Sequence, residues 1–310
     1  MGGFAGRDVL SITDFSRKDI DVVLKAARKM VPAAKGEKTN RSLEGKILST
    51  LFFEPSTRTR LSFESAMKRL GGDVVAFGTV EASSIVKGET LADTIRMVES
   101  YSDAIVLRHP QEGAARLAAE FTERPVINGG DGAGQHPTQT LLDLFTIWDQ
   151  RGAIDGAKIA LVGDLKYGRT VHSLTEALCN FEVDLTFVAP PGLQMPSEVV
   201  ERAKSLGVSP MITEDLEAIV PDLDVLYITR IQKERFPDAQ EYAKVAGTYR
   251  VDAALLRDAR KSLIVLHPLP RVDEVAPEVD ATPHARYFEQ AFNGVPVRMA
   301  LLSLIFGGSP

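Results

Sequence analysis

The chain has 310 residues, of which 44% are hydrophobic and 25% are charged. That length is sufficient for two domains of about 150 residues, each with its own hydrophobic core. The formal net charge of -6 argues against a nucleic-acid-binding surface, so any anion-binding site is expected to be a local feature.

The single cysteine, Cys179, excludes an intrachain disulfide framework and a cysteine-rich metal site. A reducing cytoplasm is therefore the expected location. Residues 1–8 lack the basic region and apolar run of a signal peptide. No apolar stretch approaches the roughly 20 residues needed to span a bilayer. We expect a soluble, cytoplasmic protein that binds neither nucleic acid nor membrane.

Short apolar runs alternate with longer segments of helical periodicity along most of the chain. The strand-like runs form two series, Lys46–Phe53, Val74–Phe77, Ala104–Leu107 and Val126–Asn128, then Lys158–Val162, Leu185–Val188, Val225–Thr229 and Leu263–Leu266. Repeated strand, helix and strand patterns are typical of parallel sheets covered on both faces. We predict an α/β fold with two similar domains, each a parallel sheet flanked by helices, joined by interdomain helices.

Two helical patterns define the predicted domain limits. Thr138–Trp148 carries a wide apolar stripe, is followed by Gly152 as a stop signal, and lies between the two series of strands. The apolar run Val297–Phe306 is predicted to be a helix that packs on the first domain. The predicted domains are residues 1–135 with a C-terminal helix at about 292–310, and residues 136–291.

A candidate anion site follows the first predicted strand, in residues 52–60. Ser56 suits a helix N-cap, which leaves unpaired backbone N–H groups at the positive end of the helix dipole. Thr57 and Thr59 add hydroxyl donors, and Arg58 adds a planar guanidinium suited to phosphate. An ordinary N-cap beside a surface arginine would look the same. Carboxylate, sulfate and phosphate all remain possible ligands on this motif alone.

The second series opens with a strand followed by a glycine-containing loop, residues 163–170. A dinucleotide-binding domain would carry G-x-G-x-x-G here, but the second glycine is absent, which argues against a dehydrogenase. Arg169 in this loop and Arg230 after a later strand instead suit a bidentate clamp for a dicarboxylate.

Four motifs in one order carry a resemblance to a known family. They are Ser-Thr-Arg-Thr-Arg at 56–60, Val-Leu-Arg-His-Pro at 106–110, His-Pro-Thr-Gln-Thr-Leu-Leu-Asp at 136–143 and His-Pro-Leu-Pro-Arg at 267–271. The chain resembles the aspartate/ornithine carbamoyltransferase family from about Leu10 to Phe306. The resemblance implies a catalytic chain that transfers the carbamoyl group of carbamoyl phosphate to L-aspartate in de novo pyrimidine biosynthesis. The products would be N-carbamoyl-L-aspartate and phosphate.

The resemblance also implies roles for individual residues. Negative charge develops on the carbonyl oxygen during attack by an amine, so the site needs donors aimed at that oxygen. The implied catalytic residues are Thr57, Lys87, Arg108 and His136. The implied carbamoyl phosphate-binding residues are Ser56, Thr57, Arg58, Thr59, Ser83, Lys87, Arg108, His136 and Gln139, with Gln139 holding the carbamoyl NH₂ group. Arg108 could equally be an ordinary ion-pair partner, and His136 a helix-entry histidine bonded to backbone.

In the family, the serine and lysine that correspond to Ser83 and Lys87 reach the active site of the adjacent subunit of a trimer. The expected assembly is therefore a homotrimer with shared active sites. Ser83 is preferred over Ser84 because the family serine lies four residues before the lysine. Some members of the family bind a separate zinc-containing regulatory chain and others are bare trimers, so a regulatory chain is possible here.

The implied aspartate-binding residues are Lys87, Arg169, Arg230, Gln232, Pro268, Leu269 and Pro270, with a cis bond before Pro270. The alternative substrate within the family is ornithine, whose terminal cation Arg230 and Lys87 would repel. The ornithine-specific members have a cysteine where this chain has Pro268, and Cys179 is expected to be a small core residue within a helix.

No cofactor is expected, because arginines and helix-end donors would replace a metal ion as the phosphate clamp. The sequence shows no metal-ligand cluster. A non-catalytic anion-binding protein of the same fold is the alternative from a different class. The presence of all the implied arginines, together with Lys87 and His136, argues against it.

Overall fold

The computed structural model describes residues 3–76, 88–132, 134–231, 242, 245 and 247–308. The chain divides into two compact units, Met1–Phe145 with Phe292–Pro310, and Thr146–Ala291. Each unit contains a parallel β-sheet with helices, so the predicted α/β fold class is confirmed. The predicted assignment of residues 1–135 and about 292–310 to one functional domain, and of residues 136–291 to the other, stays a prediction.

The sheet of the first unit has four parallel strands in the order β2-β1-β3-β4. Its order reverses between β1 and β3, because the chain moves to one side of β1 for β2 and to the other side for β3 and β4. The strands are β1 (Ile47–Phe52), β2 (Asp73–Ala76), β3 (Ala104–His109) and β4 (Val126–Asp131). The helices before and between them are α1 (Arg17–Ala34), α2 (Thr57–Arg69), α3 (Leu91–Glu99) and α4 (Ala114–Ala119).

The sheet of the second unit has five parallel strands in the order β7-β6-β5-β8-β9, which reverses between β5 and β8. The strands are β5 (Lys158–Val162), β6 (Asp184–Val188), β7 (Met211–Thr213), β8 (Val225–Ile228) and β9 (Ile264–Leu266). Helices α6 (Arg169–Leu178) and α7 (Ser197–Ser205) follow β5 and β6. The limits between the units fall within α5 (Pro137–Arg151) and α8 (Tyr287–Ile305).

Most strands are buried along their length, as expected for parallel sheets covered on both faces, whereas the edge strands β2 and β7 are largely exposed. In the first unit, Leu51, Ile105 and Leu107 form one core cluster with Ile95 of α3 and Ala115 of α4. A second cluster, in the other unit, is built on strand residues and extends to the buried ring of Tyr287. Its strand members are Ala160, Val162, Val188, Leu226, Ile228 and Val265.

All eight predicted strands are present, but β7 was not predicted. Its side chains Met211 and Ile212 are 50% and 53% exposed, so this short edge strand lacks the buried face that a sequence pattern reveals. The C-terminal helix begins at Tyr287, before the predicted helical segment at about 292–310 and before its apolar run from Val297. Gly152 follows the end of α5 in the left-handed conformation, φ +83°, which confirms it as a stop signal.

The expectation that Cys179 is a core residue within a helix needs correction. The last residue of α6 is Leu178, and Cys179 is the partly exposed C-cap residue that follows it. Burial raises the pKa of the Cys179 thiol to about 11, the charge of Glu176 acts in the same direction, and Arg202 opposes it.

At the end of β5, Gly163 permits a close approach of two strands. Its φ of +112° is a conformation that residues with a side chain rarely adopt, and a Cβ atom built there would lie 2.3 Å from the carbonyl oxygen of Thr229. Since Thr229 follows β8, only glycine allows β5 and β8 to end side by side.

We therefore expect Gly163→Ala to lower the free energy of unfolding by about 1–3 kcal/mol or more, through the clash and the backbone strain. Gly192→Ala is the control, since Gly192 has no heavy atom within 4 Å of the added methyl and no left-handed backbone. Denaturant unfolding followed by circular dichroism compares the two variants. Equal midpoints would contradict the packing argument.

Candidate functional site

In the first unit, the carboxyl ends of β1 and β3 lie side by side where the strand order reverses. Phe52 of β1 is the register partner of Arg108 of β3, and the Phe53 N–H donates to the Arg108 carbonyl at 2.8 Å. Open parallel sheets bind ligands outside the carboxyl ends of their strands at such a reversal. The predicted phosphate loop follows β1, and Arg108 lies near the carboxyl end of β3, so both are next to this position.

The N-terminus of α2 presents the predicted phosphate-binding residues. Ser56 occupies the N-cap position, as predicted, but its side chain makes no capping hydrogen bond. Thr57 and Arg58 are exposed, whereas the side chain of Thr59 is buried. The first-turn N–H groups thus lack the expected side-chain acceptor, at the end of the helix where the dipole favours an anion.

Arg108 is buried at the end of β3, where two acceptors hold its guanidinium. Nη1 donates to the Gly129 carbonyl at 3.0 Å, and Nη2 lies 3.2 Å from Oε2 of Glu54 in the loop after β1. The contact with Glu54 agrees with the alternative in which Arg108 is an ordinary ion-pair partner. The role of Arg108 in binding a ligand stays a prediction.

His136 and Gln139 lie at the start of α5. His136 is 4% exposed, and its carbonyl accepts from the Gln139 N–H at 3.0 Å in the first turn of the helix. The Gln139 side-chain Nε2 donates to Oδ1 of the fully buried Asp143 at 2.9 Å. Asp143 thereby fixes the amide that was predicted to hold the carbamoyl group.

Arg298 of α8 is a buried cation that the sequence analysis did not identify. Its Nη1 donates to Oγ of Ser62 at 2.8 Å, and its Nη2 donates to Oγ1 of Thr138 at 3.2 Å. The guanidinium also stacks 4.8 Å from the centre of the Phe63 ring. Arg298 thus joins α2, which begins with the predicted phosphate loop, to the first turn of α5.

The contact reaches the phosphate loop through Ser62. The Ser62 hydroxyl donates to the Arg58 carbonyl at 2.7 Å and lies 2.9 Å from the Thr59 carbonyl. The same hydroxyl oxygen accepts from Arg298. Burial lowers the pKa of Arg298 to about 9 and the charge of Asp143 acts against this, so the guanidinium stays protonated at neutral pH. An arginine inside an otherwise apolar helical run is a signal for such a buried partner network.

In the second unit, Arg169 and Arg230 follow the two strands between which the order reverses. Val162 of β5 is the register partner of Ile228 of β8. Arg169 is the first residue of α6, which follows β5, and Arg230 is the second residue after β8. Both side chains are half-buried. The two predicted clamp arginines thus follow neighbouring strand ends.

The loop after β9 contains the remaining predicted aspartate-binding residues in this unit. Pro268 and Leu269 are half-buried and Pro270 is exposed. The Leu269–Pro270 peptide bond is cis, as predicted. Leu269 has φ +54° and is the one residue other than glycine, among those described, with a left-handed backbone. Such conformations in residues with side chains are concentrated at functional sites.

Three predicted site residues, Ser83, Lys87 and Gln232, lie outside the described residues, and their roles stay predictions. Across the described ranges, no group of three or more His, Cys, Asp or Glu side chains is placed to hold a metal ion. None of the helices in the described part of the chain has the length and apolar character needed to cross a membrane.

Comparison with known protein families identifies both halves of the chain. Residues 7–149 match the carbamoyl-P binding domain of aspartate/ornithine carbamoyltransferases, and residues 155–305 match the Asp/Orn binding domain. These are the two domains of carbamoyl-group transferases. The chain belongs to the aspartate/ornithine carbamoyltransferase family.

Individual relatives agree over nearly the whole length. The aspartate carbamoyltransferase catalytic subunit of Thermococcus onnurineus is 61% identical over 302 residues, covering 97% of each chain. The subunit of the same name from Methanosarcina mazei is 58% identical over 304 residues, covering 98% of each. Both relatives are named as aspartate carbamoyltransferases and not as ornithine carbamoyltransferases.

Solved structures give the same result for the fold. The catalytic subunit of M. jannaschii aspartate transcarbamoylase is 53% identical, with a TM-score of 0.90 over 96% of this chain and 97% of the other. The Trypanosoma cruzi aspartate transcarbamoylase in complex with carbamoyl phosphate and aspartate is 46% identical, with a TM-score of 0.93 over 98% of each.

The Arg298 network leads to a stability prediction. Arg298→Met removes the donors to Ser62 and Thr138 and leaves the charge of Asp143 uncompensated, which we expect to cost about 3–5 kcal/mol in the free energy of unfolding. Arg116→Met is the control, because Arg116 is 61% exposed and its nearest carboxylate oxygen, on Asp14, is 3.7 Å away. Denaturant titration measures both variants. A loss no larger than that of the control would show that the network does not stabilise the unit.

Proposed function

We propose that the chain transfers the carbamoyl group of carbamoyl phosphate to the amino group of L-aspartate, producing N-carbamoyl-L-aspartate and phosphate for pyrimidine biosynthesis. One observation carries the proposal. In each unit, predicted ligand groups lie at or after the carboxyl ends of the two neighbouring strands between which the order reverses. They are residues 56–59 and Arg108 in the first unit, and Arg169 and Arg230 in the second. The relatives support the same reaction, since the Trypanosoma cruzi structures include complexes with carbamoyl phosphate and aspartate and with N-(phosphonacetyl)-L-aspartic acid.

The first unit is proposed to bind carbamoyl phosphate. The phosphate would accept hydrogen bonds from the exposed first turn of α2, with Ser56, Arg58 and Thr59 as side-chain donors. Thr57, Arg108 and His136 would donate to the carbonyl oxygen, where negative charge develops during attack. Each such preorganised donor contributes roughly 10²–10³ in rate. His136 can donate in either protonation state, so it needs no role as a general base.

The second unit is proposed to bind aspartate. Arg169 would hold the α-carboxylate, and Arg230 with Gln232 the β-carboxylate, through charge-assisted hydrogen bonds. Backbone groups of Pro268 and Leu269 would position the amine. The neutral amine attacks the carbamoyl carbon, the tetrahedral intermediate collapses, and phosphate departs and accepts the amine proton. This sequence requires no covalent intermediate with the enzyme.

Ornithine is the alternative acceptor within the family, and the charge of the site argues against it. A substrate that ends in a cation would be repelled by Arg230 in a desolvated pocket, whereas a β-carboxylate is attracted. A colorimetric assay for ureido products, run with L-aspartate and L-ornithine in parallel, tests the assignment. Product from ornithine but not from aspartate would overturn it, and product from neither would favour a binding protein without catalytic activity.

The proposed assembly is a homotrimer in which Ser83 and Lys87 complete the site of the adjacent subunit. The two elements before residues 77–87 expose large apolar side chains, which supports an interface on this part of the unit. Leu61 of α2 is 52% exposed and Val75 of the edge strand β2 is 42% exposed. An isolated monomer would then be inactive.

The proposal includes a cytoplasmic location, which fits a pathway that supplies nucleotides. The relatives are called catalytic subunits, which is consistent with a separate regulatory chain bound to this one. Sizing the native complex from its source distinguishes the assemblies. A mass equal to three chains alone would exclude the regulatory chain.

Replacing Arg230 by alanine should lower kcat/KM for aspartate by about 10²-fold or more, because it removes charge-assisted hydrogen bonds worth about 1.5–3 kcal/mol each. Binding of carbamoyl phosphate, measured by calorimetry, should survive. Arg257→Ala is the control, since Arg257 is an exposed arginine of the same unit. If Arg230→Ala lost carbamoyl phosphate binding together with aspartate turnover, the proposed division of the two substrates between the units would be contradicted.

Mixing two inactive variants tests the shared site. Arg58→Ala and Lys87→Ala subunits, dissociated and reassembled together, should regain part of the wild-type activity, because some hybrid sites receive neither substitution. Each variant reassembled alone should stay inactive. No recovery in verified hybrid trimers would contradict a site built from two subunits.

A further inference from the structure

His267 makes two hydrogen bonds through its side chain immediately after β9. Its Nδ1 accepts from the Leu269 N–H at 2.7 Å, and its Nε2 lies 2.6 Å from Oε1 of Glu274. The side chains of His267 and Glu274 are only 1% and 7% exposed. The ring therefore links the backbone of the predicted aspartate-binding loop to a buried carboxylate.

The hydrogen-bond pattern assigns the protons of this pair. A nitrogen that accepts from a backbone N–H carries a lone pair, so the ring proton is on Nε2 and is donated to Glu274. The Glu274 carboxylate also accepts from the N–H groups of Val272 and Asp273. Burial alone would raise the pKa of Glu274, but the hydrogen bonds from His267 and the backbone outweigh it and hold the pKa below its usual value. The pair is a neutral imidazole with an ionised carboxylate.

The bond to Nδ1 holds a backbone conformation that Leu269 does not favour. The left-handed region is unfavourable for a residue with a side chain, and Leu269 lies there with φ +54°. A side-chain acceptor that bonds to the N–H two residues later is the geometry by which Asn and Asp stabilise turns. His267 supplies this acceptor here, and Glu274 keeps it in the accepting tautomer.

The pair lies at the same end of the second unit as the proposed aspartate clamp. Asp273 and Glu274 line one cavity together with Gly163, which follows β5, and Thr229, which follows β8. These are the two strand ends that lead to Arg169 and Arg230. The histidine and the carboxylate therefore adjoin the aspartate-binding end of this sheet.

We propose that His267, oriented by Glu274, is a positioning residue that fixes the Pro268–Leu269 backbone for the amine of aspartate. The inference rests on the proposed function and deepens it. Neither side chain needs to contact the substrate for this role. They act through the conformation of the loop, so their loss should affect the amine and leave the binding of the two carboxylates intact.

Two substitutions separate the two bonds of the ring. In His267→Asn, the side-chain oxygen occupies the position of Nδ1 and can accept from the Leu269 N–H, while the contact with Glu274 is lost. In His267→Gln, the amide nitrogen occupies the position of Nε2 and can donate to Glu274, while the acceptor for Leu269 is lost. Each variant keeps one half of the link, so both have a comparable structural defect.

The expected result is an unequal loss of turnover. His267→Gln should lower kcat by about 10²-fold and raise KM for aspartate, because the amine is misplaced. His267→Asn should retain most of the wild-type kcat. Succinate, which has both carboxylates but no amine, should inhibit both variants with unchanged affinity. Melting temperatures measured with the same samples report on folding.

Glu274→Gln tests the orienting carboxylate. An amide NH₂ facing Nε2 would move the ring proton to Nδ1, where it would oppose the Leu269 N–H. The alternative amide orientation would oppose the N–H groups of Val272 and Asp273. This variant should therefore show the same selective loss of aspartate turnover as His267→Gln. His284→Gln, a substitution of another histidine of this unit whose Nδ1 is 2.8 Å from the Leu263 carbonyl, is the control that should keep full activity.

The outcomes distinguish the inference from the function on which it rests. A wild-type protein that forms no carbamoyl aspartate would refute the proposed function. If the wild type is active and His267→Asn and His267→Gln lose kcat equally, the positioning role is overturned and His267 has a purely structural role. A loss of succinate affinity that parallels the loss of turnover in these variants would also overturn the positioning role, since the loop would then hold carboxylates rather than the amine.

Discussion

The reversal of strand order in each sheet is the constraint on which the proposed chemistry depends. All strands of a parallel sheet end at the same edge, and the chain must return across a face before the next strand begins. Where the order reverses, the connections leave in opposite directions and the strand ends stay open. Between β1 and β3, and between β5 and β8, this leaves room for polar groups that the helices would otherwise cover.

The open edges also explain the residue types found beside them. The α2 N-terminus offers backbone N–H groups, and Gly163 lets β5 and β8 end side by side because no Cβ separates them. Cations placed here are partly desolvated and need partners, which Arg108 finds in Glu54 and the Gly129 carbonyl. A bound anion would take the place of water in such a site. The positive groups act locally, in a chain whose net charge is -6.

The sequence predicted the fold class well because buried parallel strands are continuous apolar runs between helical patterns. It failed for β7, whose exposed side chains give no such pattern. Helix α1 was not predicted either, although its start carries a readable signal. Ser16 and Asp19 form a reciprocal capping box before a buried face with helical spacing. The early start of α8 was missed because Tyr287 begins it in a mixed polar and apolar segment.

For the candidate site, the motifs predicted which residues cluster near strand ends but not what holds them. The Arg298–Ser62 contact joins residues 236 positions apart, so no local pattern could reveal it. His267 begins the His-Pro-Leu-Pro-Arg motif, but its role depends on a tautomer and on the backbone angle of Leu269. Neither can be inferred from residue types. The cis bond before Pro270 was predicted only through the family resemblance.

The location of the only thiol has a practical consequence. Cys179 caps α6 at the end of the helix opposite Arg169, and the chain then enters β6 at its first residue, Asp184. The sulfur thus lies at the amino edge of the sheet, away from the strand ends where ligands are expected. With a pKa of about 11 it is protonated at neutral pH and reacts slowly with electrophiles. A second cysteine introduced at an exposed position could therefore be labelled selectively with a fluorophore, without first removing the native one.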